Sequence, residues 1–201
     1  MKDIFNLVLA AFRDATSKEF PDQDKRHLHH ARSRTWINSL HEQFVEQYRD
    51  FSDIKVFSKY HKENRTDFGL NELLYDISVC RIGITTSARR QKELVFINEA
   101  LWQVESEFAK NSRETLEDFS KLVLGSEKNK LFIGSQVSDN NTFIQVLLPA
   151  AAACSGNIYL GLLPHPSAWG MGGEMNPLMW TYQEKEWKPY KEAPWGTMAA
   201  I

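Results

Sequence analysis

Apolar side chains recur at Ile4, Leu7, Val8, Ala11, Phe12 and Ala15. That spacing is one face of a 3.6-residue period and predicts an amphipathic helix over 3–18. Phe20-Pro21 ends it. A second stripe, Trp36, Ile37, Leu40, Phe44, Val45 and Tyr48, predicts a longer helix over 24–49. The pattern then changes to short apolar runs. Ile54-Lys55-Val56-Phe57 predicts a strand, 59–69 a polar loop, and 71–84, rich in Leu, Tyr, Ile and Val, a second strand. A polar turn over 85–91 leads to a third strand over 100–108, where outer residues alternate. Asn111, with Glu114 three residues on, predicts the start of a helix through Leu116, Phe119 and Leu122 that stops at Gly125. Residues 130–134 predict a strand, 142–153 a buried helix, and 158–163 a last buried strand.

Three successive strands favour hairpins, and the later strand–helix–strand–helix–strand order favours parallel crossovers. The expectation is an α/β protein whose mixed central sheet is flanked by helices. It forms a single domain over 1–163, with its core over 24–163 and the helix over 3–18 added in front. From 164 the composition shifts: five of the seven prolines and four of the six tryptophans lie there. That predicts an irregular extension packed on the body, or a partner surface. Gly170-Met171-Gly172-Gly173 follows no predicted strand and lacks the Gly-Lys-Ser/Thr ending of a phosphate cradle, so it is read as a loop.

Composition narrows the class. Of 201 residues, 42% are apolar and 25% charged, which excludes disordered and fibrous chains. Two cysteines, Cys80 and Cys154, stand far apart in apolar surroundings and read as reduced core thiols. The N-terminus shows no charged-then-apolar leader, and the longest apolar run, 146–154, is too short to span a bilayer. The expectation is a cytoplasmic protein that uses no membrane. A net charge of −2 selects no partner by itself.

The charges are nevertheless segregated. Segment 81–92 holds Arg81, Arg89, Arg90 and Lys92 and no acid, whereas 93–119 holds seven acids against Lys110 and Arg113. Lys59, Lys62 and Arg65 precede the second strand, and Lys25, Arg26, Arg32 and Arg34 start the long helix. On strand alternation, Glu105 and Glu107 share a face, as do Glu72 and Asp76. Two carboxylates about 7 Å apart repel by roughly 2 kcal/mol at an effective dielectric near 20, against about 0.6 kcal/mol in water. On central strands such acids call for a cation, and Mg²⁺ suits carboxylate oxygens. On an edge they are a solvated face.

Asp76 on one strand, Glu105-Ser106-Glu107 on the next and a helix after them resemble the PD-(D/E)xK nuclease superfamily. The order of elements over 24–133 matches that family's αβββαβ core, the core of restriction endonucleases. The sequence departs at Glu107, where the family's lysine is expected; some restriction endonucleases carry E-x-E there. The resemblance implies a metal-dependent endonuclease hydrolysing phosphodiester bonds, with DNA foremost and a restriction or defence setting. It implies catalytic Asp76, Glu105 and Glu107, with Mg²⁺ or Mn²⁺ on Asp76, Glu105 and the Ser106 carbonyl. Glu72, Glu46 and Glu42 are candidate outer acids, and Lys110 or Lys121 candidate substitutes for the lysine. Arg81, Arg89, Arg90, Lys92, Lys59, Lys62 and Arg65 would contact the phosphate backbone. A homodimer would suit cleavage of a palindrome. The alternative is a catalytically inactive binding or assembly protein on the same fold.

His27, His29 and His30 lack a metal-site spacing and read as solvated or phosphate-facing, and His165, between two prolines, as an end cap.

Overall fold

The computed structural model describes residues 3–20, 25–62, 64–69, 72–170 and 176–190. Pro21, Met171, Gly172, Gly173 and the side chains of Lys25 and Arg26, named above, lie outside that description, as do Asn71 at the start of the expected second strand and Trp195 among the four C-terminal tryptophans.

Helix α1 (Ile4–Ser17) begins where the Asp3 side chain accepts the Asn6 amide at 3.1 Å. It packs on α2 (Lys25–Tyr48). Strands β1 (Ile54–Phe57), β2 (Ile77–Thr86), β3 (Glu93–Glu107), β4 (Asn129–Ser135), β5 (Asn157–Leu163), β6 (Leu178–Gln183) and β7 (Glu186–Pro189) form one sheet in sequence order. The pairings β3–β4 and β4–β5 are parallel; the other four are antiparallel. The parallel pairs require crossovers. Helix α4 (Ser112–Ser120) lies in the first, and α5 (Asn140–Gln145) with α6 (Leu148–Ala153) in the second.

The sheet therefore has two apolar faces. Val79, Val104, Leu131 and Ile133 meet Val8, Phe12, Trp36 and Phe44 of the first two helices. Phe132, Leu160 and Leu162 meet Phe119, Leu122, Ile144 and Ala151 on the other side. The expected mixed α/β architecture is present. No helix among the described residues is long and apolar enough to cross a membrane.

Four expectations are corrected. The strand expected over 71–84 begins only at Ile77 and runs to Thr86, so Glu72 and Asp76 precede it and strand alternation does not place them. The third strand starts at Glu93, because an apolar run with no polar alternation, Leu94 to Ile97, here continues a strand that reaches out of the body. The helix expected over 142–153 is broken. Pro149 lacks an amide hydrogen and crowds the carbonyl four residues back, so it opens α6. Within the expected loop over 59–69, Arg65–Phe68 make one helical turn, α3.

The extension is not irregular over 178–189. It adds a hairpin, β6–β7, to the sheet. Glu184 and Lys185 both take positive φ, 52° and 67°, which is the backbone of a tight primed turn. Asn-Gly normally announces that turn, and Glu-Lys conceals it. Trp187 is 8% exposed and donates its indole N–H to the Ile144 carbonyl at 2.9 Å. Trp187→Ala is expected to cost about 3–5 kcal/mol in urea denaturation. A loss under 1 kcal/mol would mean that the hairpin is not part of the core.

The β2–β3 ladder slips register twice, between Val79 and Cys80 and between Arg81 and Ile82. Beyond those slips the two strands form an arm.

Candidate functional site

The acids gather where β2 begins and β3 ends. Ile77 pairs with Val104, which sets Asp76 beside the Glu105-Ser106 step. Asp76 Oδ2 accepts the Ser106 amide at 3.0 Å and the Ser106 hydroxyl at 2.9 Å. Both bonds go to one oxygen, which leaves Oδ1 for a further ligand. In an extended residue the amide and carbonyl lie on one strand edge, so the Ser106 carbonyl faces the same side as its amide.

Glu105 is 3% exposed. It stands on the face of β3 that also carries Gln103 and, on β4, Lys130 and Phe132. Burial and then the neighbouring Asp76 charge push its carboxyl up to about 7. Lys121 opposes the rise, with Nζ 3.4 Å from Glu105 Oε2 and 2.6 Å from Asp118 Oδ1. Asp76 is also raised, chiefly by burial, against the Ser106 hydrogen bonds and the charges of Lys59 and Lys121. Glu107 is raised by burial, although the Ala109 amide donates to its Oε1 at 2.6 Å. The neighbouring Asp118 carboxyl group adds to the rise.

Asp76, Ser106 and Glu107 open on a cleft of about 380 Å³. Its other walls include His29, His30, Lys59, Tyr60 and His165. Lys59 lies 5.1 Å from the Tyr60 ring centroid and Arg34 5.2 Å, so two cations flank one aromatic wall. His165 Nδ1 accepts the Ser167 amide at 3.1 Å, which leaves the neutral ring's proton on Nε2. Burial, then Lys110 and His29, lower its pKa to about 4. This ring caps the start of the 3-10 turn Pro166–Ala168 and not the strand end expected from sequence, and it is also a wall of the cleft.

Not all the expected residues converge. Glu42 turns to His61, 3.5 Å away, and Glu46 to Arg49 at 2.8 Å; neither lines the cleft. On a helix that begins with cations, these two acids face solvent rather than the sheet end. Glu72 is exposed and acts on the site only through the charge it places near Lys59. Arg81 is paired with Asp53 and Glu99. Arg89, Arg90 and Lys92 sit at the tip of the arm, at the far end of β2 from Asp76. Lys62 and Arg65 are exposed on the loop before β2. Of the two candidate lysines, Lys121 reaches Glu105, while Lys110 acts on His165.

Sequence reasoning missed Asp118. Its signal was the helical i, i+3 spacing to Lys121, which puts both on the turn facing β3. It also missed His41, Glu42 and His61 as a group. Their ligand-type atoms lie within 4.8 Å of one another, and the two rings stack at 3.6 Å. The ring planes are 10° apart, so their in-plane lone pairs run side by side instead of meeting at one point. A metal there requires the rings to turn.

Lys121→Met is expected to move the Glu105 carboxyl further up and shift the pH profile of Mn²⁺ binding about one pH unit to the alkaline side. Lys121→Arg restores it. An unchanged profile in the methionine variant would show that Lys121 does not act on Glu105.

No family model matches the chain, and neither a curated protein nor a solved structure matches it at a significant level. The resemblance to the PD-(D/E)xK superfamily therefore rests on the Asp76 and Glu105-Ser106-Glu107 pattern and on the order of the elements.

Proposed function

We propose that this protein is a divalent-metal-dependent phosphodiesterase acting on DNA. One observation carries the reading: Asp76 and Glu107 line a cleft that also holds Lys59, and Glu105, buried behind it beside Lys121, lies close enough to Asp76 for that charge to raise it, so three carboxyl groups are desolvated around one strand end. Burying acids side by side is costly unless a cation joins them. The donor set is all oxygen, which fits Mg²⁺ or Mn²⁺. Asp76 through Oδ1, Glu105 and the Ser106 carbonyl would hold the ion. When bound, such an ion lowers the pKa of its water and stabilises charge on the phosphate.

The chain's own groups do the rest. Ser106 fixes the Asp76 carboxylate through two hydrogen bonds. Lys121 holds the Glu105 carboxyl below where burial alone would push it and aims it. Glu107, raised by burial and by Asp118 beside it, is the cleft's carboxyl group to accept a proton from water. Lys59, with its ammonium held charged by Tyr60, Asp76 and Glu72 against the pull of burial, attracts the phosphate backbone. The departure at Glu107 favours the second reading, an inactive binding protein, because no cation occupies that position.

The test is cleavage of plasmid and single-stranded DNA with Mg²⁺, Mn²⁺ or EDTA, alongside Mn²⁺ calorimetry. Metal-dependent cleavage supports the phosphodiesterase. No cleavage together with no Mn²⁺ binding supports the inactive protein.

A further inference from the structure

The arm formed by β2 and β3 leaves the body with both outer edges bare. Strand β1 covers β2 only from Ser78 to Arg81, and β4 covers β3 only from Trp102 to Glu107. At the root of the arm the Ile82 amide still donates to the Asp53 carbonyl at 2.7 Å; among the described residues no strand pairs with the outer edge of 83–86 or of 93–98. Both faces of the arm are apolar. The register puts Ile82, Ile84, Val95 and Ile97 on one face and Leu94 and Phe96 on the other. Phe96 lies across Gly83, where an added Cβ would meet its ring at 2.6 Å. Ile84 is 64% exposed, Leu94 and Phe96 44% each, and Ile97 38%. A two-stranded ribbon is marginal alone in water, and this one shows apolar surface on every side.

Substrate at the cleft does not cover it. Ten residues of strand carry the chain from the cleft to Thr86, about 33 Å at 3.3 Å each, so the tip lies at the opposite end of the sheet.

We propose that the arm joins two copies of this chain, the outer edge of Gly83–Thr86 pairing antiparallel with the same edge of its partner. Bare edges are normally guarded by lysine, proline or an inward charge. Ile82-Gly83-Ile84-Thr85-Thr86 carries none of these. The outer edge of β3 is guarded by Glu93 at its end. A two-fold axis sets a strand antiparallel to itself, so the pairing closes as a dimer and does not propagate. With the axis at Ile84, each tip meets the partner's turn between α2 and β1. The tip carries Arg89, Arg90 and Lys92; on that turn Asp53 is taken by Arg81, while Asp50, 3.8 Å from an Arg49 that is itself bonded to Glu46, keeps its side chain 87% exposed. The charges are complementary. The inference does not depend on the catalytic reading.

Sedimentation equilibrium tests it. The wild-type protein is expected to be a dimer at micromolar concentration. Ile84→Lys sets two ammonium groups across the axis and is expected to weaken the dimer at least a hundredfold, with the circular dichroism spectrum unchanged. Paired residues across an antiparallel ladder have Cα atoms about 4.5–5.5 Å apart, within disulfide range. Ile84→Cys is therefore expected to form a covalent dimer on oxidation, and this result stands even if the lysine variant fails to fold. Arg89→Glu with Arg90→Glu weakens the dimer at least tenfold, and adding Asp50→Arg restores it. A wild-type monomer at 100-fold higher concentration, or an Ile84→Lys variant as dimeric as the wild type, would overturn the proposal. So would a monomer whose duplex-DNA binding is lost in Ile84→Lys, which assigns the arm to nucleic acid.

Discussion

Asp76→Asn and Glu105→Gln are each expected to reduce metal-dependent DNA cleavage about a thousandfold, with folding intact. A metal clamp on developing phosphate charge supplies several kcal/mol, and about 4 kcal/mol is three factors of ten in rate. Each substitution keeps size and hydrogen bonding while removing one of the two anionic ligands. In Asp76→Asn the amide can still accept from Ser106, so the local backbone holds. Glu72→Gln and Glu46→Gln serve as the contrast. Both are exposed, neither lines the cleft, and their effects are expected to stay within about threefold. Single-turnover rates on plasmid DNA decide it. If all four variants lose activity alike, the cleft is not where the chemistry happens.

The second large effect is on stability. Glu105 in the folded chain sits at about 7 instead of its ordinary 4.5, because it is buried beside Asp76. The sign follows from proton uptake. Between those two values the folded chain holds a proton that the unfolded chain has released. Stability is therefore fully present below about pH 4.5 and is lost as pH rises through about 7. The gap amounts to about 3 kcal/mol above that point. Glu105→Gln removes the penalty. In EDTA at pH 8 it is expected to melt roughly 6–10 °C higher than the wild type, with no advantage at pH 4.5. In millimolar Mn²⁺ the order reverses, since the wild type gains binding energy and the variant does not. Thermal melts at pH 4.5 and 8, with and without Mn²⁺, measure all four corners. A variant that is no more stable in EDTA at pH 8 would mean that Glu105 carries no such burden.

What could be read from the sequence, and what could not, divides along physical lines. The helices α1 and α2 were legible because one stripe of each is buried, and that burial writes a 3.6-residue period. The central strands β4 and β5 were legible as short continuous apolar runs, because both of their faces are buried. The arm was not: Leu94-Val95-Phe96-Ile97 is apolar on both faces, which in an isolated domain signals burial, and here those residues are exposed. The β6–β7 turn was hidden because Glu184-Lys185 adopts a conformation that its composition does not advertise. In the candidate site, Glu105 and Glu107 were visible as acids in an apolar strand, and Asp76 as an acid at the start of one. Glu42 and Glu46 were misplaced because a helical acid gives no clue to whether its face meets solvent or the sheet end. The pairing of Asp118 with Glu107 depends on the crossover of α4 over β3, a contact that local spacing cannot encode.

The double slip of register at Val79/Cys80 and Arg81/Ile82 bears on how forces travel through the molecule. An extra residue on one strand bends and overtwists a ladder at that spot. The two slips fall together where β1 ends, so they act as a universal joint at the root of a lever about five residues long. Load taken by the lever is absorbed as torsion at the joint. The segment from Trp102 to Val104 is held by β2 on one edge and β4 on the other, and β4 carries the pairing on to Glu107. Whatever grips the distal end, the carboxylate end keeps its alignment.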